Sequence, residues 1–424
     1  MIWKLLVSAV FAIALVAFGT FCSSSELTSI GSQSAAVERA SRVDSRRAAL
    51  RRAARFLWAR QGADGGWHSE TYAFFRSGQA LTPFLLFHLL QVPEALSPRP
   101  EGGVERALEF LRARVNDDGV LGLADPDVSE YPHFATAFAL RCFLHVGNDR
   151  DRELALRMRD YLISQQYRQE SGFDETSAVF GGWGFGPTVS SGSPGHVDIS
   201  YTRHILEALR DAPDVPEDVF KRARRFLDFL QRHPDDGRPQ PPYDESSSIA
   251  SRSGFDGGFY FSPNVSSANK GDVEPARDGV GSHYRSYATA TCDGILALLA
   301  AGLPVGDARV EAAWLWLRAH PGWGYPGGVP HGEPNGYGDA IHFYHLAVRA
   351  EAYAALQEHP DLPRGWRDAL IRILGRQERP DGSFVNTRNH LMKEDDPLLA
   401  TGLAVVSLVK TIRQGEKPES FAKP

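Results

Sequence analysis

Apolar positions along this chain fall into two kinds of segment that alternate. In the first kind they form one stripe. Val219, Ala223, Phe226, Leu227 and Leu230 follow the i, i+4, i+7, i+8, i+11 spacing of a one-sided helix, with Lys, Arg and Asp on the opposite face. Pro216, Glu217 and Asp218 supply its start, since Pro fits the first turn and acidic groups suit the positive end of the helix dipole. The second kind, represented by Tyr287 to Leu303 and Pro397 to Val409, is apolar nearly all round, and a helix without a polar face has to be buried on every side. Four more segments read this way: Ala80 to Leu90, Phe134 to Val146, Ser200 to Leu209 and Ala340 to Leu356. One-sided helices start near Ser45, Gly103, Asp149, Pro216, Asp307 and Pro363, again six. Strict alternation of six buried and six half-buried helices predicts an inner barrel wrapped by an outer one, an all-α, α6/α6 double-barrel toroid of six helical hairpins over residues 44–413.

The loops that end the outer helices repeat as well: Asp64-Gly-Gly-Trp67, Asp118-Gly119, Gly182-Trp183-Gly184, Gly254-Phe-Asp-Gly-Gly-Phe259, Gly322-Trp323-Gly324 and Asp381-Gly-Ser-Phe384. Glycine ends a helix in the left-handed region, and the aromatic that follows can plug the gap to the next hairpin, so these loops read as structural staples. The long stretch from Arg232 to Gly281 has no helical period and is rich in Ser, Pro, Gly and Asp. A loop of that length suits a cover over one mouth of the ring, or a plain insertion.

Composition changes the picture at the ends. Lys4 and the apolar run Leu5 to Phe21 read as an export signal or a retained membrane anchor over residues 1–22, with Ser-rich residues 23–43 as a flexible linker and 414–424 as a tail. Export to the periplasm, secretion, or attachment to a membrane by this segment is the corresponding localisation. Cys22 invites lipidation, although Phe21 stands where such signals place a small residue. Cys142 and Cys292 lie in apolar runs, which excludes a disulfide framework. A net charge of -6 gives no basic excess, so nucleic acid is not expected as a partner.

An aromatic followed by Leu recurs near the end of the one-sided helices, at Phe56-Leu57, Phe110-Leu111, Tyr161-Leu162, Phe226-Leu227 and Trp316-Leu317. The fuller phrase Phe56-Leu57-x-x-x-Gln61-x-x-x-Gly65-x-Trp67 resembles the QW repeat of squalene and oxidosqualene cyclases. Gln377, Gly382 and Phe384 form a milder copy, while Tyr161-Leu162 with Gln166 and Phe226-Leu227 with Gln231 keep its first half. The resemblance implies the toroid of terpene cyclases and protein prenyltransferases, and an apolar small molecule or lipid as partner. It carries the chemistry less far. The D-x-D-D acid motif of squalene-hopene cyclases is missing, and its counterpart His196-Val-Asp198-Ile-Ser200 keeps one carboxylate. Tyr344-His345 fits half of the prenyltransferase zinc pattern, but no Asp-x-Cys accompanies it and no D-D-x-x-D is found, so neither metal nor cofactor is expected.

Polar groups at the starts of the inner helices mark where a cavity should open. Asp198 is a candidate acid or a helix cap, followed by Tyr201, Thr202 and His204. Asp293 lies inside an otherwise apolar run, where a carboxylate needs a partner or a cavity. Asp339, His342 and His345 are spaced to share one helical face, as an acid–base set or as packed rim residues, with Tyr344 beside them. His133, His283, Tyr284 and Tyr287 stand at the starts of the second and fourth inner helices, and Asp396 before Pro397 reads as a cap. These residues predict Asp198, Asp293 and His345 as catalytic, with His133, Tyr201, His204, Tyr287, Asp339, His342 and Tyr344 contacting substrate. Three functions stay open: an enzyme acting on a polyprenyl or other apolar chain, a non-catalytic module binding lipid, glycan or protein, and a polysaccharide lyase.

Overall fold

The structure, a computed structural model, describes residues 44–187, 195–240, 254–275 and 282–412. The chain divides into two units, residues 1–48 and 49–424, and the second holds the fold. The signal or anchor, the linker and the tail lie outside the described residues, as do 241–253 and 276–281 of the long loop.

The outer helices are α1 (residues 44–58), α3 (Gly103–Arg112), α5 (Arg152–Ser164), α7 (Glu217–Gln231), α9 (Ala308–Ala319) and α12 (Trp366–Gly375). The inner ones are α2 (Leu81–Leu90), α4 (Pro132–Val146), α6 (Ile199–Asp211), α8 (Ala288–Ala300), α11 (His342–Ala355) and α13 (Pro397–Thr411), and a short α10 (Tyr337–Ala340) precedes α11. Each inner helix packs on the next, α2 on α4, α4 on α6, α6 on α8, α8 on α11 and α11 on α13, and α13 returns to α2. The ring is closed, an α6/α6 toroid. The polarity pattern explains the layers. Every residue of α2 is buried, whereas α7 buries Val219, Ala223, Phe226, Leu227 and Leu230 and exposes Lys221.

One staple recurs around the ring. The loop residue after each turn gives its backbone N–H to a threonine on the inner helix: Trp67 to Thr82, Leu121 to Thr136, Trp183 to Thr202, Phe259 to Thr291 and Phe384 to Thr401, at 2.9–3.1 Å. Where a tryptophan follows the turn, its indole N–H also caps the aromatic-Leu turn, Trp67 on the Leu57 carbonyl and Trp183 on that of Leu162, both at 2.7 Å. Glutamine then ties its own loop to the next outer helix. The Gln61 amide reaches the carbonyls of Gly65 and Gly103, that of Gln166 reaches Gly181 and Val219, and that of Gln231 reaches Gly257 and Arg309.

The fifth hairpin departs from this scheme. His345 takes the threonine position and its Nε2 lies 3.1 Å from the Gly322 carbonyl, while Arg349, fully buried, donates to the carbonyls of Gly322, Leu317 and His320. The guanidinium thus caps Leu317 where an indole caps Leu57 and Leu162. Here the expected continuous helix from Ala340 is also corrected. Ile341, at φ -104° and ψ 29°, breaks it, and Asp339 falls on α10 while His342 and His345 lie on α11. The cause is Glu394, whose carboxylate accepts the N–H groups of Phe343 and Tyr344 and so starts a new helix there.

Candidate functional site

The N-terminal ends of the inner helices form one mouth of the ring, and two carboxylates lie just beneath its surface. Asp198 is set by a two-residue pairing in which β1 (Trp183–Gly184) runs antiparallel to β2 (Val197–Asp198), with Trp183 opposite Asp198. The described part of the long loop holds it from the other side: Ile199 donates to the Phe261 carbonyl, Ser262 Oγ to that of Val197, and the Val197 N–H to Asn264 Oδ1. The expected cap is present, since Asp198 Oδ1 accepts the Tyr201 N–H at 2.9 Å. A cap uses one oxygen only. The other, Oδ2, lies 3.1 Å from Nε2 of His196, whose side chain is 35% exposed while that of Asp198 is wholly buried. The carboxylate therefore stands behind an imidazole that reaches the surface.

Asp293, on the second turn of α8, repeats the arrangement. It is fully buried, and its Oδ2 accepts the Tyr344 hydroxyl at 2.7 Å, which in turn lies 2.9 Å from Ser200 Oγ. Oδ1 faces Arg203 Nη1 at 3.6 Å and has no hydrogen-bond partner among the described residues. Burial pushes its titration up to about 7, against the opposing pull of Arg203 and Tyr344. Tyr344 and Ser200 are only half-buried. Arg203 also binds Glu207 at 2.7 Å and Glu351 at 2.6 Å, and Glu207 meets Arg141 at 2.8 Å, so a linked ionic layer lies below Asp293. The opposite wall is aromatic. Phe134 lies 4.7 Å from Phe138 and Phe84 5.4 Å from Phe138, with His204 packed at 5.0 Å from Phe138 and its own proton affinity pushed well down by burial.

Lys270 completes the mouth. Buried, it donates to the Ala268 carbonyl at 2.9 Å and lies over the rings of Phe261 and Tyr337 at 4.8 and 5.5 Å. Burial lowers its titration to about 8, opposed by the charges of Asp198 and Asp293. Tyr287 caps the start of α8, fully enclosed between Gly271 and Gly328.

The candidates named from the sequence divide accordingly. Asp198, Asp293, Tyr201, Tyr287 and Tyr344 gather at this mouth, and His204 lines the wall below. The others are turned elsewhere. His133 Nδ1 lies 2.7 Å from the Gly184 carbonyl and burial lowers its titration to about 4; His345 faces Gly322 and falls to about 3 for the same reason. His342 pairs with Gln377 at 2.8–3.0 Å, and Asp339 pairs with Arg388 at 3.3 Å. Asp339 lies on α10 and His342 and His345 follow the break at Ile341 on α11, and each of the three is engaged by a partner of its own. Tyr284 ends a short strand, Ser282–Tyr284, and the side chain of His283 lies outside the described residues. Asp396 is the cap it was read as, accepting from Leu398 and Leu399. Among the described residues no group of His, Cys, Asp and Glu is arranged to hold a metal ion. Lys270, Ser200 and Arg203 were not singled out by the sequence. Lys270 lies in the aperiodic loop, and Arg203 sits on what reads as an inner helix.

No protein-family model matches the chain, and no curated protein matches it. Solved structures do. A variant of the type II terpene cyclase MstE from Scytonema, in complex with merosterolic acid A, is 17% identical with a TM-score of 0.50, covering 87% of this chain and 97% of that one. A second MstE variant, without ligand, is 15% identical with the same TM-score and coverage. The GH76A α-1,6-mannanase of Salegentibacter is 13% identical with a TM-score of 0.49, covering 86% and 98%. The chain shares the α/α toroid of the terpene cyclases.

Proposed function

We propose that this protein is an acid–base enzyme working at the N-terminal mouth of its inner barrel, with His196 and Tyr344 as the groups that meet substrate and Asp198 and Asp293 as the carboxylates that position them. One observation carries the reading. Two buried carboxylates each direct an oxygen at a half-buried side chain able to carry a proton: Asp198 Oδ2 makes a 3.1 Å contact with His196 Nε2 that lacks hydrogen-bond geometry, and Asp293 Oδ2 accepts the Tyr344 hydroxyl at 2.7 Å. An imidazole or phenol oriented by a buried carboxylate is a familiar solution for proton transfer, because the carboxylate fixes tautomer and direction and offsets the charge that develops. The Tyr344–Ser200 contact adds a second hydroxyl to the same relay. An exported chain, as the Leu5 to Phe21 run suggests, would act on material outside the cytoplasm; fractionation of cells and blotting would check this.

The half-buried hydroxyls of Tyr344 and Ser200 bear on the substrate. Covering them with an apolar chain would strip their water, whereas a hydroxyl-rich molecule can replace it. Protonating an isolated carbon–carbon double bond also calls for a stronger acid than one titrating near 7. Both points favour transfer of a proton to or from oxygen. The aromatic wall of Phe84, Phe134 and Phe138 supports a second reading, a polyprenyl or other apolar substrate lying on that side.

The experiment is a turnover screen on the full chain with neutral oligosaccharides and with polyprenyl alcohols and squalene, repeated with His196→Ala, Asp198→Asn and Tyr344→Phe. Loss of roughly 10²–10⁴ in rate for His196→Ala, with Asp198→Asn losing rate while KM is kept, is the expected result. Turnover indifferent to all three variants would sink the assignment, and products from the polyprenyl set alone would select the second reading.

A further inference from the structure

Around the mouth runs a chain of aromatic rings that the acid–base assignment does not use. Phe74 is 5.8 Å from Tyr131, Tyr131 is 5.1 Å from Phe185, and Phe185 is 6.0 Å from Tyr201. His196 continues it, 6.5 Å from Tyr201 and 6.4 Å from Phe261, and Lys270 bridges Phe261 to Tyr337. The belt thus runs from the start of α4 past the start of α6 to the start of α10, and His196 and Tyr201 flank Asp198 in it. Core aromatics in this protein are buried nearly to zero, as Trp67, Trp183 and Phe226 are. The belt is not. Phe74 is 43% exposed, and Tyr131, Phe185, Tyr201, Phe261 and Tyr337 are each half-buried. Tyr131 is moreover held at φ 47°, a left-handed conformation that a bulky side chain adopts only when its surroundings impose it.

We infer that this belt is an extended binding track for a neutral oligosaccharide, with successive sugar rings laid on successive aromatics. The inference rests on the acid–base reading and names its substrate class. Ring distances of 5.1–6.5 Å, mostly edge-to-face, make the belt continuous, with about one aromatic ring available for each sugar ring. The C–H faces of sugars pack on aromatic rings, while their hydroxyls need donors and acceptors close by. The belt interleaves both: the phenols of Tyr131, Tyr201 and Tyr337, the imidazole of His196 and the Lys270 ammonium lie among its rings. A purely apolar ligand would strip water from the half-buried phenols and imidazole without replacing it. Rings meet at 63–78° between Tyr131 and Phe185, Phe185 and Tyr201, and His196 and Tyr201, so they present faces in turn instead of one flat plate, which suits a twisting chain more than a planar molecule.

The test uses the full chain on an array of neutral oligosaccharides of graded length, followed by calorimetry with the best of them. Binding should strengthen with each added sugar until the belt is filled. Phe185→Ala and Tyr131→Ala should weaken it about tenfold each, while Phe185→Tyr and Tyr131→Phe, which keep the rings, retain it. No retained glycan, or retention equal in the ring-deleted and ring-keeping variants, overturns the track. Glycan binding without any turnover would instead remove the acid–base reading and leave the track standing. Turnover of a substrate that is not a glycan, unchanged in Phe185→Ala, would do the reverse.

Discussion

Asp293 shows how far a single side chain can be displaced from its ordinary chemistry. Its carboxyl moves from 3.8 to about 7 because the folded chain removes its water. The stability consequence has a definite sign. Between those two values the folded protein holds a proton that the unfolded chain releases, so stability falls as pH rises through the window and the penalty is complete above about pH 7. Its full size is of the order of 4 kcal/mol. Asp293→Asn should flatten that part of the profile in denaturant titrations from mildly acidic to neutral pH; an unchanged slope would contradict the buried-acid assignment. His133 and His345 act in the opposite direction. Held neutral when folded, with titrations near 4 and 3, they withdraw stability as pH falls below the ordinary 6.5. Some of this was legible in the sequence. An aspartate in an apolar run announces itself, and so does a capping aspartate, but the partnership of Asp198 with His196 needed β2 to bring the two side chains together. Lys270 gave no sign, because nothing periodic surrounds it.

At the scale of elements, the hairpins were legible because burial writes its period directly into the sequence, as in α7 and α13. The staples between them were less so. Glycine and aromatic positions stood out, yet the threonines that receive the loop N–H groups are indistinguishable by pattern from other small residues of an inner helix. The continuous apolar stretch through Ile341 concealed its break for a similar reason: Glu394, fifty residues on, makes it. Two substitutions compare the strength of these devices. Gly181 sits at φ 87°, and a Cβ there would lie 1.9 Å from the Arg222 carbonyl oxygen. Gly181→Ala should therefore cost about 3 kcal/mol or more. Thr202→Val keeps shape but orphans the buried Trp183 N–H, at roughly 1–3 kcal/mol. Chemical denaturation should rank the glycine first, and the reverse order would mean that the loops are looser than they are built.

For the molecule as a whole, closure decides the behaviour. The last loop returns to the first helix: Gly382, at φ 85°, would place a Cβ 2.8 Å from the Arg52 carbonyl, and the Arg52 guanidinium pairs with Glu378. A linear stack of repeats frays from its ends, whereas a ring has none. Heating should show one cooperative transition, and Gly382→Ala should lower its midpoint by about 3–5 °C while opening α1 to protease. Two resolved transitions would argue against a closed ring. Closure by similar units brings a hazard of its own, since one hairpin can dock in the place meant for another, within a chain or between chains. Arg349 bears on this. Its guanidinium finds acceptors on three carbonyls beside it, and in the first or third slot it would meet a threonine and an indole that already bonds the matching carbonyl, leaving a buried cation short of acceptors. The odd hairpin thereby differs from the slots that carry an indole, and a closure that exchanged it with one of them would carry its own penalty.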